Sequence, residues 1–167
     1  MIEEGIAVVS QLDIRGGCCE IKSIALLPNV LIKEAAREQG AYEALQIDCD
    51  GFVTEGGSTN AWIINAEGQL VTRQAENSIL NGITRRRLIE LAKAQGIKIR
   101  ERPFTRDEAK SAREVFLTST TSFVTAGGKL TTPYLVMGAL VVELCISSNC
   151  IWISWTKMTM LRAPSND

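Results

Sequence analysis

The sequence predicts a mixed α/β fold, and three observations carry that expectation. Two segments place apolar residues at helical spacing, several short runs place β-branched and aromatic residues at strand spacing, and the two kinds alternate along the chain. With 167 residues, 46% apolar and 22% charged, the chain is large and apolar enough for one globular domain with its own core.

The elements follow in order. Met1 to Ser10 carries two glutamates before a short apolar run, which is not the positively charged start of an export signal. Leu27 to Gly40 reads as a helix, with Asn29 as its cap, Leu31 and Ala35 on one face and Gly40 as its stop. Tyr42 to Cys49 alternates Glu43, Leu45, Ile47 and Cys49 against Tyr42, Ala44, Gln46 and Asp48, the period of a strand, and Asp50-Gly51 turns the chain. Phe52 to Thr54, Ala61 to Ile64 and Leu70 to Thr72 are further strands, the last two joined by a hairpin turn at Asn65-Ala66-Glu67-Gly68. A second helix begins near Asn81-Gly82, turns Ile83, Leu88, Leu91 and Ala92 to one side and stops at Gly96. Ile97 and Ile99 alternate with charged neighbours, Thr105-x-x-Glu108 is a capping box that opens a third helix, and Val115-Phe116-Leu117 is β-rich.

Composition narrows the chemistry. Eighteen Lys and Arg against nineteen Asp and Glu leave no positive excess to neutralise a phosphate backbone, so no nucleic-acid partner is expected. Histidine is absent, which excludes Ser-His-Asp and Cys-His nucleophile pairs, imidazole bases and most zinc sites. No metal site is expected. The five cysteines are odd in number and show no C-x-x-C spacing, so they read as free thiols of a cytoplasmic protein.

Four small groups of residues remain. Lys22 lies between Ile21 and Ile24, where a desolvated amine would act as a nucleophile; the alternative is a surface lysine lying along apolar neighbours. Glu55 opens a Gly/Ser/Thr loop, where it would pair with a protonated ring nitrogen or cap backbone amides. Gly82-Ile83-Thr84 starts a helix, whose free N–H groups and Thr84 hydroxyl suit a phosphate, as many helix starts do. Thr118 to Ser122 is a run of hydroxyls that suits an anion or the end of a strand. The basic run Arg85-Arg86-Arg87 reads as a solvated helix face and receives no role.

In this order and spacing the four groups resemble the fold-type IV pyridoxal-phosphate enzymes, which include the D-amino-acid and branched-chain aminotransferases. Asp13-Ile14-Arg15 with Ile21-Lys22-Ser23-Ile24 and Leu27-Pro28-Asn29-Val30 resembles the family's lysine segment, and Val53-Thr54-Glu55-Gly56 through Asn60 its glutamate loop. Ser78 to Arg85 is similar to its phosphate-binding helix start, and Leu117 to Thr121 to its substrate-side hydroxyl loop. The resemblance is closest to the D-amino-acid aminotransferases and runs from about Gly5 to Val124.

The resemblance implies the larger, cofactor-binding domain of that fold, with a partly barrel-like mixed sheet. It implies pyridoxal 5'-phosphate as cofactor, D-alanine or a branched-chain amino acid and a 2-oxo acid as substrates, and a homodimer. By it, Lys22 forms the internal aldimine and shuttles the substrate proton, and Glu55 keeps the ring nitrogen protonated. Leu80 packs on the ring, Gly82, Ile83 and Thr84 hold the phosphate, and Ser119, Thr120 and Thr121 line the phosphate and substrate side. The alternatives are a non-catalytic remnant or binding module of the same fold, or a class IV lyase acting on a chorismate-derived amine.

Departures from the pattern accompany it. Gly16-Gly17-Cys18-Cys19 stands where members carry an aromatic residue and an arginine, and Gly57 where a serine is common. The family also places a smaller α+β domain ahead of this one, so the expectation is a chain truncated at its start, with residues 1–130 as the cofactor-binding domain and 131–167 as an atypical tail. Tyr134 to Trp155 is apolar with Glu143 as its single charge. A membrane helix is the literal reading, but Glu143, Asn149 and the serines weigh against it. A frameshift fits better: Leu135 to Val141 can be encoded so that another frame reads Gly-Asn-Gly-Arg-Pro-Gly, a phrase typical of the family, followed by an amphipathic helix.

Overall fold

The structure, a computed structural model, describes residues 6–126 and the backbone of three later strands, with no side chains described for Phe123, Val124, Ala126 or those strands. The apolar run after the two glutamates becomes β1 (Ala7–Leu12), followed by helix α1 (Leu27–Glu38), β2 (Glu43–Ile47), β3 (Val53–Gly56), β4 (Asn60–Ile64) and β5 (Leu70–Thr72). Helix α2 (Ile83–Ala94), β6 (Ile99–Glu101), α3 (Arg106–Ser111), β7 (Glu114–Ser119) and β8 (Phe123–Ala126) complete the body. Strands β9 (Leu135–Val136), β10 (Glu143–Ser147) and β11 (Cys150–Ser154) lie in the apolar tail. The described parts of that run are therefore strands and not a helix; the other residues of the tail, Gly138 to Val141 of the frameshift phrase among them, lie outside the described residues. Among the described residues no helix is long and apolar enough to cross a membrane.

Two sheets carry the fold, ordered β3-β2-β1-β9 and β6-β5-β4-β7-β8, with β10 and β11 paired separately. The pairs β1–β2 and β5–β6 are parallel and are bridged by α1 and α2, because a parallel pair needs a long crossover that a helix supplies. The remaining pairs are antiparallel. The sheets are mixed, as expected, but the described strands do not close into a barrel.

The core has three layers of side chains. Val8, Leu45, Val53, Ala61, Ile63 and Leu117 meet between the two sheets. Val9 and Ala44 point the other way, against Ile32 and Ala36 of α1. Trp62, Ile64 and Phe116 turn outward against Leu88, Ile89 and Ala92 of α2. The order is therefore helix, sheet, sheet, helix. This explains why Glu43–Ile47 is not the half-exposed strand its alternation predicts: residues 43–46 are all buried, one face on the second sheet and the other on α1. Burying both faces removes the polar face that alternation presupposes.

Several local expectations shift by a residue. The buried face of α1 is Ile32 and Ala36, with Leu31 exposed and Ala35 only half-buried. Its N-cap is Leu26 without a side-chain bond, because Asn29 instead donates Nδ2–H to the Gly57 carbonyl at 2.9 Å, pinning the helix to the glutamate loop. In α2 the buried residues are Arg85, Leu88, Ile89 and Ala92, while Ile83 is exposed and Leu91 half-buried. The Asn65–Gly68 turn joins β4 to β5 with Gly68 at φ 73°, a left-handed conformation glycine adopts without a Cβ penalty. Thr105 Oγ1 accepts the Glu108 N–H at 3.0 Å, so the capping box forms on its threonine side, while the Glu108 carboxylate pairs with Arg102.

Candidate active site

The segment after β1, the end of β3, the start of β4 and the approach to α2 converge at one edge of the sheets. Parallel pairing of β1 with β2 continues to the Asp13 N–H, which donates to the Ile47 carbonyl at 2.8 Å and delivers Arg15 beside β3. Arg15 then grips Asp13 through Nε at 2.9 Å and Nη2 at 2.6 Å, and pairs through Nη1 with Glu55. Its Nη2 also reaches the Ser78 carbonyl at 3.1 Å. The Thr54 hydroxyl donates to Asp13 at 2.8 Å.

Glu55 is 6% exposed. Its Oε2 accepts Asn60 Nδ2–H at 3.0 Å and the Leu80 backbone N–H at 3.1 Å, while Arg15 takes Oε1. Burial raises the Glu55 carboxyl to about 7, against the opposite pull of the Arg15 charge and these hydrogen bonds. Asp13 is also pushed up by burial, but its bonds to Arg15 and Thr54 outweigh that and leave it below the ordinary carboxylate range. Arg15 is held more firmly protonated than usual: burial works against its charge, and the two carboxylates overcome it.

A cavity of about 350 Å³ opens beside this network, and Lys22, Glu55 and Leu80 all line it, together with Arg15 and residues 16–19. The structure thus brings together three of the residues singled out in the sequence. The desolvated setting expected for Lys22 is not found. Lys22 is exposed, as are Ile21 at 63% and Ile24 at 98%, and residues 20–27, at the end of the irregular segment and the start of α1, are all exposed among the described residues.

Gly82, Ile83, Thr84, Ser119, Thr120 and Thr121 form a second group, outside the lining of that cavity. Thr84 Oγ1–H donates to the Ser119 carbonyl at 3.1 Å, joining the start of α2 to the end of β7. Ser119 Oγ lies 3.2 Å from Thr121 Oγ1 and accepts the Ser122 N–H at 3.0 Å; Thr120 and Thr121 are exposed. Gly82 is the N-cap of α2, and the N–H groups of Ile83 and Thr84 in its first turn have no partner within the helix.

Asn60 links the two groups. Besides Glu55 it donates to the Leu80 carbonyl at 2.8 Å, and a Cβ on Gly82 would stand 2.5 Å from its Oδ1. Glycine at 82 is what lets the helix start approach the glutamate network. Reading the sequence alone left Asn60 and Arg15 without roles, although both lie inside the segments that carry the resemblance.

Arg85 is the clear correction. It is 2% exposed, pairs with Glu101 at 2.7 Å, and bonds the Arg73 carbonyl at 2.8 Å and Asn81 at 3.0 Å. The first arginine of the run falls on the inner face of α2, so it ties the helix to β6 and the 73–81 segment, while Arg86 and Arg87 are exposed.

A family model described as amino-transferase class IV matches residues 3–130. D-alanine aminotransferase of Bacillus licheniformis is 41% identical over 122 residues, which are 73% of this chain and 42% of that protein. The protein of the same name from Staphylococcus aureus is 43% identical over 129 residues, 77% of this chain and 45% of its own length. The chain thus spans less than half the length of these relatives. Among solved structures, the branched-chain amino acid aminotransferase from Thermobaculum terrenum, in its PLP form, superposes with a TM-score of 0.69 at 27% identity, covering 74% of this chain and 42% of that one. A putative 4-amino-4-deoxychorismate lyase from Legionella pneumophila shares the fold, with a TM-score of 0.72 at 24% identity over 84% of this chain and 53% of its own.

Proposed function

The chain belongs to the class IV amino-transferase family, and on that premise we propose that it is the cofactor-binding part of a cytoplasmic, homodimeric enzyme that uses pyridoxal 5'-phosphate to pass an amino group from an amino acid to a 2-oxo acid. The observation that carries the reading is that the Lys22 amine and the Glu55 carboxylate line one shared cavity. The relatives named D-alanine aminotransferase support D-alanine as amino donor, and the branched-chain aminotransferase structure supports a branched-chain amino acid as the other candidate.

The residues present fit the cofactor. A buried carboxylate raised to about 7 beside an open cavity is suited to a ring N–H, because a positive ring nitrogen favours its ionised form. Arg15, Asn60 and the Leu80 amide fix that carboxylate in place. Leu80 offers the apolar contact for the ring. The dianionic phosphate would rest on Gly82, Ile83 and Thr84, where the helix dipole and open N–H groups favour negative charge, with Ser119, Thr120 and Thr121 adding hydroxyl donors. When bound, pyridoxal phosphate supplies an aldehyde that accepts a primary amine and a ring that draws electron density from the substrate carbon. Lys22 Nζ would hold the cofactor at its aldehyde and, as a free amine, would be the base that moves the proton between the substrate Cα and the cofactor carbon. Glu55 would keep the ring nitrogen protonated.

A second reading, a remnant that keeps the fold and does not turn over, is favoured by the exposure of Lys22, since water over the amine opposes the dry site that proton transfer prefers. Incubating the whole chain with pyridoxal phosphate, D-alanine or leucine, and a 2-oxo acid separates the two. The first reading expects the oxo acid of the donor to form, and Lys22→Ala to abolish it. Cofactor held on Lys22 with no product above the Lys22→Ala background establishes the remnant.

A further inference from the structure

Residues 16–19 line the cavity and take no part in the proposed chemistry. Cys18 and Cys19 are adjacent, and both border the cavity that holds Lys22. In extended backbone neighbouring side chains point to opposite faces; Cys18 breaks that alternation with a left-handed φ of 65°. The turn is pinned at its base, with the Ile21 N–H donating to the Cys18 carbonyl at 3.1 Å and the Cys19 N–H to the Asn77 carbonyl at 2.8 Å. Above the backbone little is fixed. Cys18 is exposed, Cys19 is half-buried with a 3.2 Å thiol contact to the Gly16 carbonyl, and beyond the adjoining residues no heavy atom described lies within 4 Å of where a Cβ on Gly16 or Gly17 would stand.

We infer that Cys18 and Cys19 form a vicinal dithiol site that captures thiophilic electrophiles able to make two bonds to sulfur, of the trivalent arsenical class, and that its occupation closes the cavity to molecules approaching Lys22. The step balances without an oxidant. An aryl arsenoxide takes the protons of both thiols, two S–H bonds break, two As–S bonds form, and the oxide leaves as water with arsenic still trivalent. The protonation state suits it. Burial raises the Cys19 thiol above its ordinary value despite the nearby Arg15 charge, which disfavours chemistry that runs through a free thiolate, such as oxidation or disulfide exchange. Capture by an arsenoxide carries the protons away as water. The second As–S bond is intramolecular, so it outweighs a single bond by about 100-fold or more. The inference rests on the cavity alone and survives if no amino transfer occurs.

The test uses the full chain with Cys49, Cys145 and Cys150 changed to Ser, treated with phenylarsine oxide. One adduct is expected on the peptide holding Cys18 and Cys19, removed by 2,3-dimercaptopropanol and resistant to a monothiol. Labelling of Lys22 by trinitrobenzenesulfonate is expected to fall sharply while labelling of Lys93 and Lys98 is unchanged. Cys18→Ser, on an exposed side chain, and Cys19→Ser, which keeps a hydrogen-bond donor, should each make the adduct removable by the monothiol. An adduct that a monothiol removes from the unaltered pair overturns the dithiol site. A stable adduct with undiminished Lys22 labelling overturns the closure.

Discussion

The two walls of the cavity are built on opposite principles. On the Glu55 side the charged groups are held: Arg15 joins Asp13, Glu55 and the Ser78 carbonyl, and Asn60 joins Glu55 to Leu80. On the Lys22 side, Ile21, Ile24, Leu26 and Leu27 stand more than half exposed and the amine has no described partner. A buried ion network demands satisfaction, since each unpaired member would be costly, and the described partners of Glu55 all lie in this chain. An exposed apolar loop makes no such demand. The ring-nitrogen half of the proposed site is therefore complete within these residues, and the lysine half is presented without apolar cover.

The contrast can be broken most severely at Arg15. Arg15→Ala leaves the Asp13 and Glu55 carboxylates buried without their cation, and a loss of about 3–5 kcal/mol is expected in urea denaturation. Next comes pH. Glu55 titrates at about 7 when folded and near 4.5 when unfolded, so in that window the folded chain binds the proton more tightly. Its contribution is greatest below the unfolded value and falls away as pH rises through the folded one, by a few kcal/mol at most. Thermal melts across this window should show a decline with rising pH that Glu55→Gln flattens. Gly82→Ala drives a Cβ against Asn60 Oδ1, and overpacking there should cost about 1–3 kcal/mol, read in urea denaturation, and loosen any pyridoxal phosphate bound at the proposed site. Smallest is the other wall: Ile24→Ser, at a 98% exposed position, should change the unfolding free energy by less than about 0.5 kcal/mol. A large loss there would show that the lysine segment is covered after all.

Local signals in the sequence were legible where backbone geometry decides. Gly40, Gly51, Gly68 and Gly96 all adopt positive φ at the turns and helix stops assigned to them, and Thr105 caps its helix. Burial was less legible, because it depends on what arrives from elsewhere. Alternation in residues 43–47 suggested one wet face, yet α1 covers it; the inner face of α1 lay one residue on from Leu31 and Ala35; and Arg85 looked solvated until Glu101 and the Arg73 carbonyl supplied a buried setting for its charge. The site was read chiefly through the order of its motifs. Lys22, Glu55 and Leu80 line one cavity, but the residues that hold Glu55, Arg15 and Asn60, are 40 and 5 positions away from it in sequence and are tied to it by hydrogen bonds no periodicity announces.

Whether the Lys22 and Glu55 cavity receives pyridoxal phosphate is decided by adding the cofactor to the whole chain, reducing with borohydride and mapping the modified peptide. One reduced phosphopyridoxyl group per chain is expected, on Lys22, with loading diminished in Glu55→Gln. No attachment, or attachment spread evenly over Lys22, Lys33, Lys93, Lys98 and Lys110, would contradict that assignment.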